Sequence, residues 1–183
     1  MQGAATDTRS LRQALGRFAT GVVVVTGRDP QDGTPVGMTM NSFTSLSLDP
    51  PLVLFCIAKS AYSLPAWQRL SHYAVNALER GQEEISGRFA RALARKWDGV
   101  RYRPGVFGAP LIEGALAAFE CEAHDCREGG DHLIFIGRVL RFEWAAAGEP
   151  LLYYCGAYAG LAADSSRRPA ADVFPGWPLP QHY

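Results

Sequence analysis

The hydrophobic and polar positions of this chain follow two different periods, and together they predict a mainly β protein with a few peripheral helices. Leu11 and Leu15 recur at helical spacing with their apolar neighbours, which predicts an amphipathic helix over residues 8–19. The β-branched run at residues 22–26 shows no polar alternation, which is typical of a strand buried on both faces. A turn-rich link then leads to a second strand at residues 35–41, which we expect to be antiparallel to the first.

The rest of the chain continues in short apolar segments. We expect helices at residues 61–70 and 83–96 and a loop at residues 104–110. The remaining predicted strands are residues 52–58, 72–78, 151–155 and two long strands within 116–144, joined by a turn at 127–131.

The two long strands differ in their predicted exposure. On the first, Phe119 and Cys121 share the face opposite Glu120 and Glu122, so one side is expected to contact water. The second, at residues 133–142, is apolar on both sides and is expected to be buried.

This succession of elements predicts the fold class and the domain organisation. Six or seven strands, separated mostly by turns, favour a closed or nearly closed antiparallel barrel. We expect residues 1–163 to form one domain of this kind. Residues 164–183 hold several prolines and aromatic residues, and we interpret them as a C-terminal arm outside the barrel.

Charge and length exclude some classes of partner. The 183 residues carry a formal net charge of zero, so no long-range field draws nucleic acid or an anionic membrane. No apolar run approaches the about 18–20 residues needed to cross a bilayer. Residues 1–10 lack the basic-then-apolar order of a secretory signal, and we therefore expect a cytoplasmic protein.

The four cysteines do not form a metal-binding pattern. None of them shares CxxC spacing with another, which favours buried thiols. Cys121, His124 and Cys126 lie close together in the sequence, but on a strand the two cysteines point to opposite faces. No fourth ligand is evident unless His132 folds back, so we expect no metal site.

A polar run at residues 37–47 is the first candidate for chemistry. It places Thr39, Asn41 and Ser42 between two apolar strands, where their side chains can donate and accept hydrogen bonds. Such hydroxyls can simply cap the local backbone. Together with residues 130–132 far downstream, the run instead suggests a redox cofactor, with Gly37 allowing its close approach.

Six motifs in order along the chain resemble the flavin reductase-like family, which includes the short-chain NAD(P)H:flavin reductases of two-component monooxygenases. They are FATGVVVVT (18–26), GMTMNSFTSLS (37–47), DPPLV (49–53), YAVNAL (73–78), GDH (130–132) and PLLYY (150–154). The resemblance covers about residues 11–160. It implies an FMN-binding split β-barrel of Greek-key type, a homodimer with flavin near the subunit interface, and a diffusing reduced flavin that serves a partner oxygenase.

The resemblance also implies which residues contact the cofactors. The isoalloxazine and ribityl contacts would be Met38, Thr39, Met40, Asn41 and Ser42. The ribityl and phosphate contacts would be Cys56, Ile57, Ala58, Lys59, Ser60 and Ser63. Arg88 and Lys96 would lie near the phosphate, although a solvated helical face explains such cations equally well, and Lys59 has the same alternative.

Two further residues complete the implied site. His132 would contact the nicotinamide beside the flavin. Tyr158 would add a stacking or hydrogen-bonding surface, with a packed core tyrosine as the alternative. Hydride transfer from nicotinamide to flavin N5 needs no protein nucleophile, and no nucleophile–base arrangement is evident in the sequence.

The identity of the cofactors and the reaction remain open at this point. The flavin is FMN or FAD, and the absence of an arginine cluster for a 2′-phosphate favours NADH over NADPH. No GxGxxG follows a strand, which argues against a Rossmann fold. One alternative is a flavoprotein with tightly bound FMN that reduces another acceptor, such as a corrinoid. The other is a flavin-binding module without turnover.

Overall fold

The computed structural model describes residues 4, 6–92 and 95–162. The predicted C-terminal arm lies outside these residues. The helices are α1 (Thr8–Leu15), α2 (Leu64–Arg69) and α3 (Glu83–Phe89), and a short 3₁₀ turn (Arg80–Gln82) precedes α3. Within this described part, none of the helices has the length and apolar character that would let it span a membrane.

Strands dominate the described part of the chain, which confirms the prediction of a mainly β protein. They are β1 (Thr20–Gly21), β2 (Val23–Arg28), β3 (Pro35–Met40), β4 (Thr44–Leu48), β5 (Pro51–Ala58), β6 (His72–Ala77), β7 (Tyr102–Pro104), β8 (Pro110–Ile112), β9 (Ala117–Gly129), β10 (His132–Trp144), β11 (Leu152–Tyr154) and β12 (Ala157–Ala159).

Seven of these strands form one sheet in the order β3-β2-β6-β9-β10-β5-β4. Every pairing in it is antiparallel, as predicted. A three-stranded sheet, β1-β11-β12, and a two-stranded ribbon, β7-β8, lie beside it.

The link between β3 and β4 shows that the large sheet is strongly curled. These strands are the two edges of the sheet, yet only residues 41–43 separate them along the chain. Four Cα steps span at most about 15 Å. Seven flat strands at their usual spacing would instead place the edges about 29 Å apart. The edges therefore approach each other at the link, but within the described residues no ladder joins them, and the expected closed barrel is not found.

The concave side of the curled sheet encloses the main core. Phe55 on β5 lies at its centre and is fully buried. Its ring stacks on that of Phe135 at 5.4 Å between centroids and meets Tyr73 edge-on at 5.2 Å. Trp67 of α2 contacts the same ring from a third side, at 6.4 Å. This space is filled by aromatic side chains, so a planar cofactor has to lie outside it.

Strand β2 is buried on both faces, as its β-branched run predicts. Val23 and Val25 belong to the main core, whereas Val24 packs in a second cluster on the convex side. That cluster includes Phe89 of α3 and Ile112 of β8.

A buried amide connects this region to the β7–β8 ribbon. The side chain of Asn76 on β6 donates to the carbonyl of Val24 (3.0 Å) and to the Thr26 hydroxyl (3.1 Å). Its carbonyl oxygen accepts the backbone N–H of Ile112 at 2.9 Å. Because the Asn76 amide and its partners are buried away from water, these mutual hydrogen bonds are the ones that satisfy them.

The predicted helices are too long at their C-terminal ends. Helix α1 ends at Leu15, after which the backbone of Arg17 and Phe18 forms single turns before β1 begins. Helix α3 ends at Phe89 because the following segment is drawn to β3, where the Trp97 indole donates to the carbonyl of Pro35 at 2.8 Å.

Other expectations fail on the sheet itself. Residues 44–48, which belong to none of the predicted strands, form edge strand β4, and the predicted loop at 104–110 is flanked by the β7–β8 ribbon. Glu120 is buried rather than wet, because its carboxylate accepts the N–H of Phe107 (3.2 Å) from the loop that covers it. The second half of β10 is exposed rather than buried.

Candidate functional site

The link between the sheet edges, the end of β5 and the start of β10 meet at one corner of the sheet. Ser42 in the link accepts the backbone N–H of Cys56 at 2.9 Å and donates to its carbonyl at 3.4 Å. Ala58 at the end of β5 pairs with His132 at the start of β10. The backbone N–H of Lys59 then donates to the carbonyl of Asp131 at 2.9 Å. Predicted site residues that are far apart in sequence are thus brought together.

His132 is half exposed at this corner and is oriented by its neighbour. Its Nδ1 lies 2.7 Å from a carboxylate oxygen of Asp131. The hydrogen bond from His132 lowers the pKa of Asp131, so that carboxyl is ionised near neutral pH. An ionised carboxylate only accepts hydrogen bonds, and the proton of the imidazole therefore sits on Nδ1. With the proton on Nδ1, Nε2 is the acceptor for a bound molecule whenever the ring is neutral.

Lys59 supplies a positive charge next to His132. Its ammonium lies 3.2 Å from the carboxylate of Glu128, and both side chains are substantially exposed. Such exposed ion pairs contribute about 1 kcal/mol or less. An anionic ligand can therefore replace Glu128 as the partner of Lys59 at little cost.

A second group of predicted residues lies around β3 and α3. The Thr39 hydroxyl donates to the carbonyl of Ser86 at 2.7 Å, and the Tyr158 hydroxyl donates to the Ser86 hydroxyl at 2.8 Å. Arg88 forms an ion pair with Glu84 at 3.0 Å. The two hydrogen bonds to Ser86 join the large sheet and β12 to α3, whereas the Arg88–Glu84 pair lies within α3.

The ammonium of Lys96 lies in the same region and has backbone partners. It donates to the carbonyls of Gly37 (3.3 Å) and Phe89 (3.4 Å). Burial lowers the pKa of Lys96 below its ordinary value. A half-buried lysine with two carbonyl partners is primarily a brace between β3 and the segment after α3.

The glycine at position 37 is explained by packing. A Cβ there would lie 2.6 Å from the Phe89 ring, on the convex side of the sheet. The expectation that Gly37 clears space for a cofactor is therefore corrected: the space next to it is filled by Phe89.

The predicted ligands differ in how available their side chains are. Met40 and Ile57 are buried in the core, so only their backbones can face a ligand. In the described part of the chain, the side chains of Asn41 and Ser60 are exposed and have no hydrogen-bond partner. Ser63 accepts from the Trp67 indole at 3.3 Å but keeps its own proton to donate.

The thiol of Cys56 is the cysteine side chain at this corner. Burial raises the pKa of the Cys56 thiol, which disfavours a nucleophilic thiolate. Among the described residues, no group of three or more His, Cys, Asp or Glu side chains is arranged to hold a metal ion.

Sequence reasoning missed several residues that matter here. Ser86, Glu128 and Asp131 all contact predicted site residues, but each contact depends on the fold. Asp131 alone had a local signal, because it precedes His132 in a glycine turn.

Comparison with known proteins identifies relatives across most of the chain. Residues 15–162 match the family model described as flavin reductase like domain. A probable flavin reductase of Rhizobium meliloti is 47% identical over 137 residues, which cover 75% of this chain. The chain spans only 44% of the length of that relative.

Two further relatives match over nearly their whole length. The reductase subunit HsaB of a flavin-dependent monooxygenase from Mycobacterium tuberculosis is 39% identical, over 87% of this chain and 86% of its own. The NADH:FAD oxidoreductase SgcE6 of Streptomyces globisporus, solved with NAD and FAD fragments, has a TM-score of 0.85 and 42% identity. The superposition covers 90% of this chain and 99% of that protein.

Proposed function

Because this chain belongs to the flavin reductase like domain family, we propose that it uses NADH to reduce FMN or FAD and releases the reduced flavin to a separate oxygenase component. The corner formed by the link, the end of β5 and the start of β10 is the observation that carries the proposal. It presents a half-exposed histidine, a lysine and unpaired polar side chains on one rigid frame. The names of HsaB and SgcE6 support the oxygenase partner and NADH, respectively.

The residues present fit a flavin lying outside the packed interior. The exposed amide of Asn41 and the backbone of the link suit the polar edge of the ring system. Ser60 suits the ribityl hydroxyls, and Lys59, with Ser63, suits the phosphate. When bound, the flavin supplies a hydride acceptor at N5. The hydroxyls of Thr39 and Ser42 act mainly through the backbone that they hold in place.

His132 orients the nicotinamide in this proposal. Its Nε2 is an acceptor suited to a carboxamide N–H, and Asp131 fixes the ring that carries it. The protein contributes position and exclusion of water, which hydride transfer requires. No proton has to move through a side chain in the transfer itself.

We further propose that the curled sheet is the split barrel of this family, with a Greek-key connection. The short link between its two edges supports this assignment. Residues 1–163 would be the domain, and residues 164–183 an arm beyond it. The reaction would take place in the cytoplasm, where NADH is available.

A homodimer is part of the same proposal. Large apolar side chains are exposed in the chain taken alone, among them Phe18 at 77% and Trp144 at 72%. Exposed apolar surface of this kind is typical of subunit interfaces. The mass in solution, measured by light scattering, tests this directly.

An anaerobic assay that crosses NADH and NADPH with FMN and FAD tests the proposed reaction. NADH oxidation that depends on added free flavin is the expected result. One flavin per subunit after purification, with poor turnover of free flavin, would favour a flavoprotein that reduces another acceptor. Flavin binding without NADH oxidation would leave only a binding module.

A further inference from the structure

Tyr62 has the most exposed large apolar or aromatic side chain among the described residues. It is 96% exposed, whereas the next most exposed, Phe18, is 77% exposed. An aromatic ring with almost no contact to its own protein contributes little to folding. Its position next to the proposed nucleotide site makes it a candidate for contact with a bound ligand.

The turn that carries Tyr62 is held by backbone hydrogen bonds on both sides. The N–H of Ala61 donates to the carbonyl of Ala58 at 2.9 Å, and that of Leu64 donates to the carbonyl of Ala61 at 3.0 Å. Directly after it, Leu64 and Trp67 of α2 are buried in the main core. The Tyr62 backbone is therefore held from both sides. Little backbone conformational entropy is then lost when the ring contacts a ligand.

Tyr62 is also close to the residues proposed to hold phosphate and nicotinamide. It lies between Ser60 and Ser63 in the sequence and four residues after Ala58, the strand partner of His132. Four Cα steps limit the backbone distance between Tyr62 and Ala58 to about 15 Å. A dinucleotide with its phosphates at Lys59 and Ser60 would have its second base within reach of the turn that carries Tyr62.

We propose that the Tyr62 ring stacks on the adenine of a bound dinucleotide and so favours adenine-containing ligands over mononucleotides. This inference rests on the proposed function of the site. The adenine belongs to FAD or to NADH, which share this chemistry. Stacking of a base on an aromatic side chain changes affinity by about 5- to 150-fold. The exposed ring is suited to this contact because any base offers a flat π face to it.

The test compares Tyr62→Ala and Tyr62→Phe with the wild-type protein. Affinity is measured by calorimetry for FAD against FMN, and for NADH against reduced nicotinamide mononucleotide. For Tyr62→Ala we expect a loss of about 5-fold or more for one adenine-containing ligand and none for its mononucleotide. Selective loss for FAD assigns the flavin adenine, and selective loss for NADH assigns the nicotinamide adenine. Tyr62→Phe keeps the ring and should keep the affinity.

Equal effects on each dinucleotide and its mononucleotide, or no effect at all, would overturn the proposal. Tyr62→Phe is the matched control, since it changes the same residue but leaves an exposed aromatic ring in the same place. Light scattering of both variants detects a change of subunit association. Such a change without an adenine-selective effect on affinity also counts against stacking.

A failure of the proposed function gives a different result. In that case the wild-type protein oxidises no NADH with either flavin. Titration with AMP then tests the adenine contact alone: binding lost in Tyr62→Ala supports the stacking, and binding that is absent or unchanged refutes it.

Discussion

Ser42 and Cys56 are joined by two hydrogen bonds, in which the serine hydroxyl takes the backbone N–H of Cys56 at 2.9 Å and gives its own proton to the carbonyl at 3.4 Å. This contact fastens the link between the two sheet edges to β5. The Ser42 side chain thereby serves the frame of the site.

Replacing Ser42 by alanine should lower the free energy of unfolding. The N–H of Cys56 would lose its partner in a partly buried place, at a cost of about 1–2 kcal/mol. Urea denaturation measures this change. Ser45→Ala, on exposed strand β4, is the matched control and should change stability by less than about 0.5 kcal/mol. Equal stability of the two variants would contradict the role given to Ser42.

Asn41 should behave in the opposite way to Ser42. Its exposed amide has no partner among the described residues, so Asn41→Ala should leave stability unchanged. Loss of one hydrogen bond to flavin should raise the flavin Kd by about 5- to 10-fold. Fluorescence titration with FMN and FAD measures this, and an unaltered Kd would remove Asn41 from the flavin contacts.

Loss of His132 should affect the nicotinamide and spare the flavin. We expect His132→Ala to raise the apparent KM for NADH about tenfold, the equivalent of one good hydrogen bond. The flavin Kd should stay largely intact. His124→Ala, an exposed histidine on neighbouring strand β9, is the control and should have normal kinetics. Normal NADH kinetics in His132→Ala would show that this residue does not contact the nicotinamide.

Asp131 is predicted to act through His132 as a positioning residue. Asp131→Asn removes the charge that holds the Nδ1 proton, and the KM for NADH should rise by at most about fivefold because the pair is exposed. The kcat should change little. Nitrogen NMR of the imidazole should show a mixture of tautomers in the variant and a single one in the wild type. An unchanged tautomer would rule out this role.

The two glycines at positions 37 and 87 should respond differently to alanine. At Gly37 the added Cβ meets the Phe89 ring at 2.6 Å, so overpacking should cost about 1–3 kcal/mol. At Gly87, within α3, no atom lies within 4 Å of the added Cβ. Alanine there should raise stability by about 0.5–1 kcal/mol through helix propensity. Thermal or urea unfolding measures both, and a neutral Gly37→Ala would contradict the packing.

Local patterns predicted the elements that depend on a dominant local signal. The β-branched run of β2 has both faces buried, and the predicted turn between the two long strands is found at Gly130 and Asp131, between β9 and β10. Strand β4 was missed because it is a short, mostly polar segment on an exposed edge of the sheet, where even Leu46 and Leu48 stay about half exposed. The end of α3 was missed because Trp97 is held by a carbonyl of β3, a contact that no local window contains.

For the site, the sequence correctly indicated the segments that come together. It did not indicate which side-chain atoms are free to contact a ligand. The link, the end of β5 and His132 do meet at one corner. The hydroxyl of Thr39 was expected to face a ligand, but it donates to Ser86, 47 positions away. Pairings over such distances depend on how the sheet curls, and no local spacing shows that.

The Asn76 amide makes the β7–β8 ribbon and the large sheet unfold together. It holds a carbonyl of β2 and an N–H of β8 at once, with all three groups sealed from solvent. Opening the ribbon would expose that amide and leave its buried partners without hydrogen bonds. The free-energy cost of those unpaired groups couples the ribbon to the curled sheet. The backbone proton of Ile112 should therefore exchange with deuterium only when the whole assembly opens, although it belongs to a strand of just three residues.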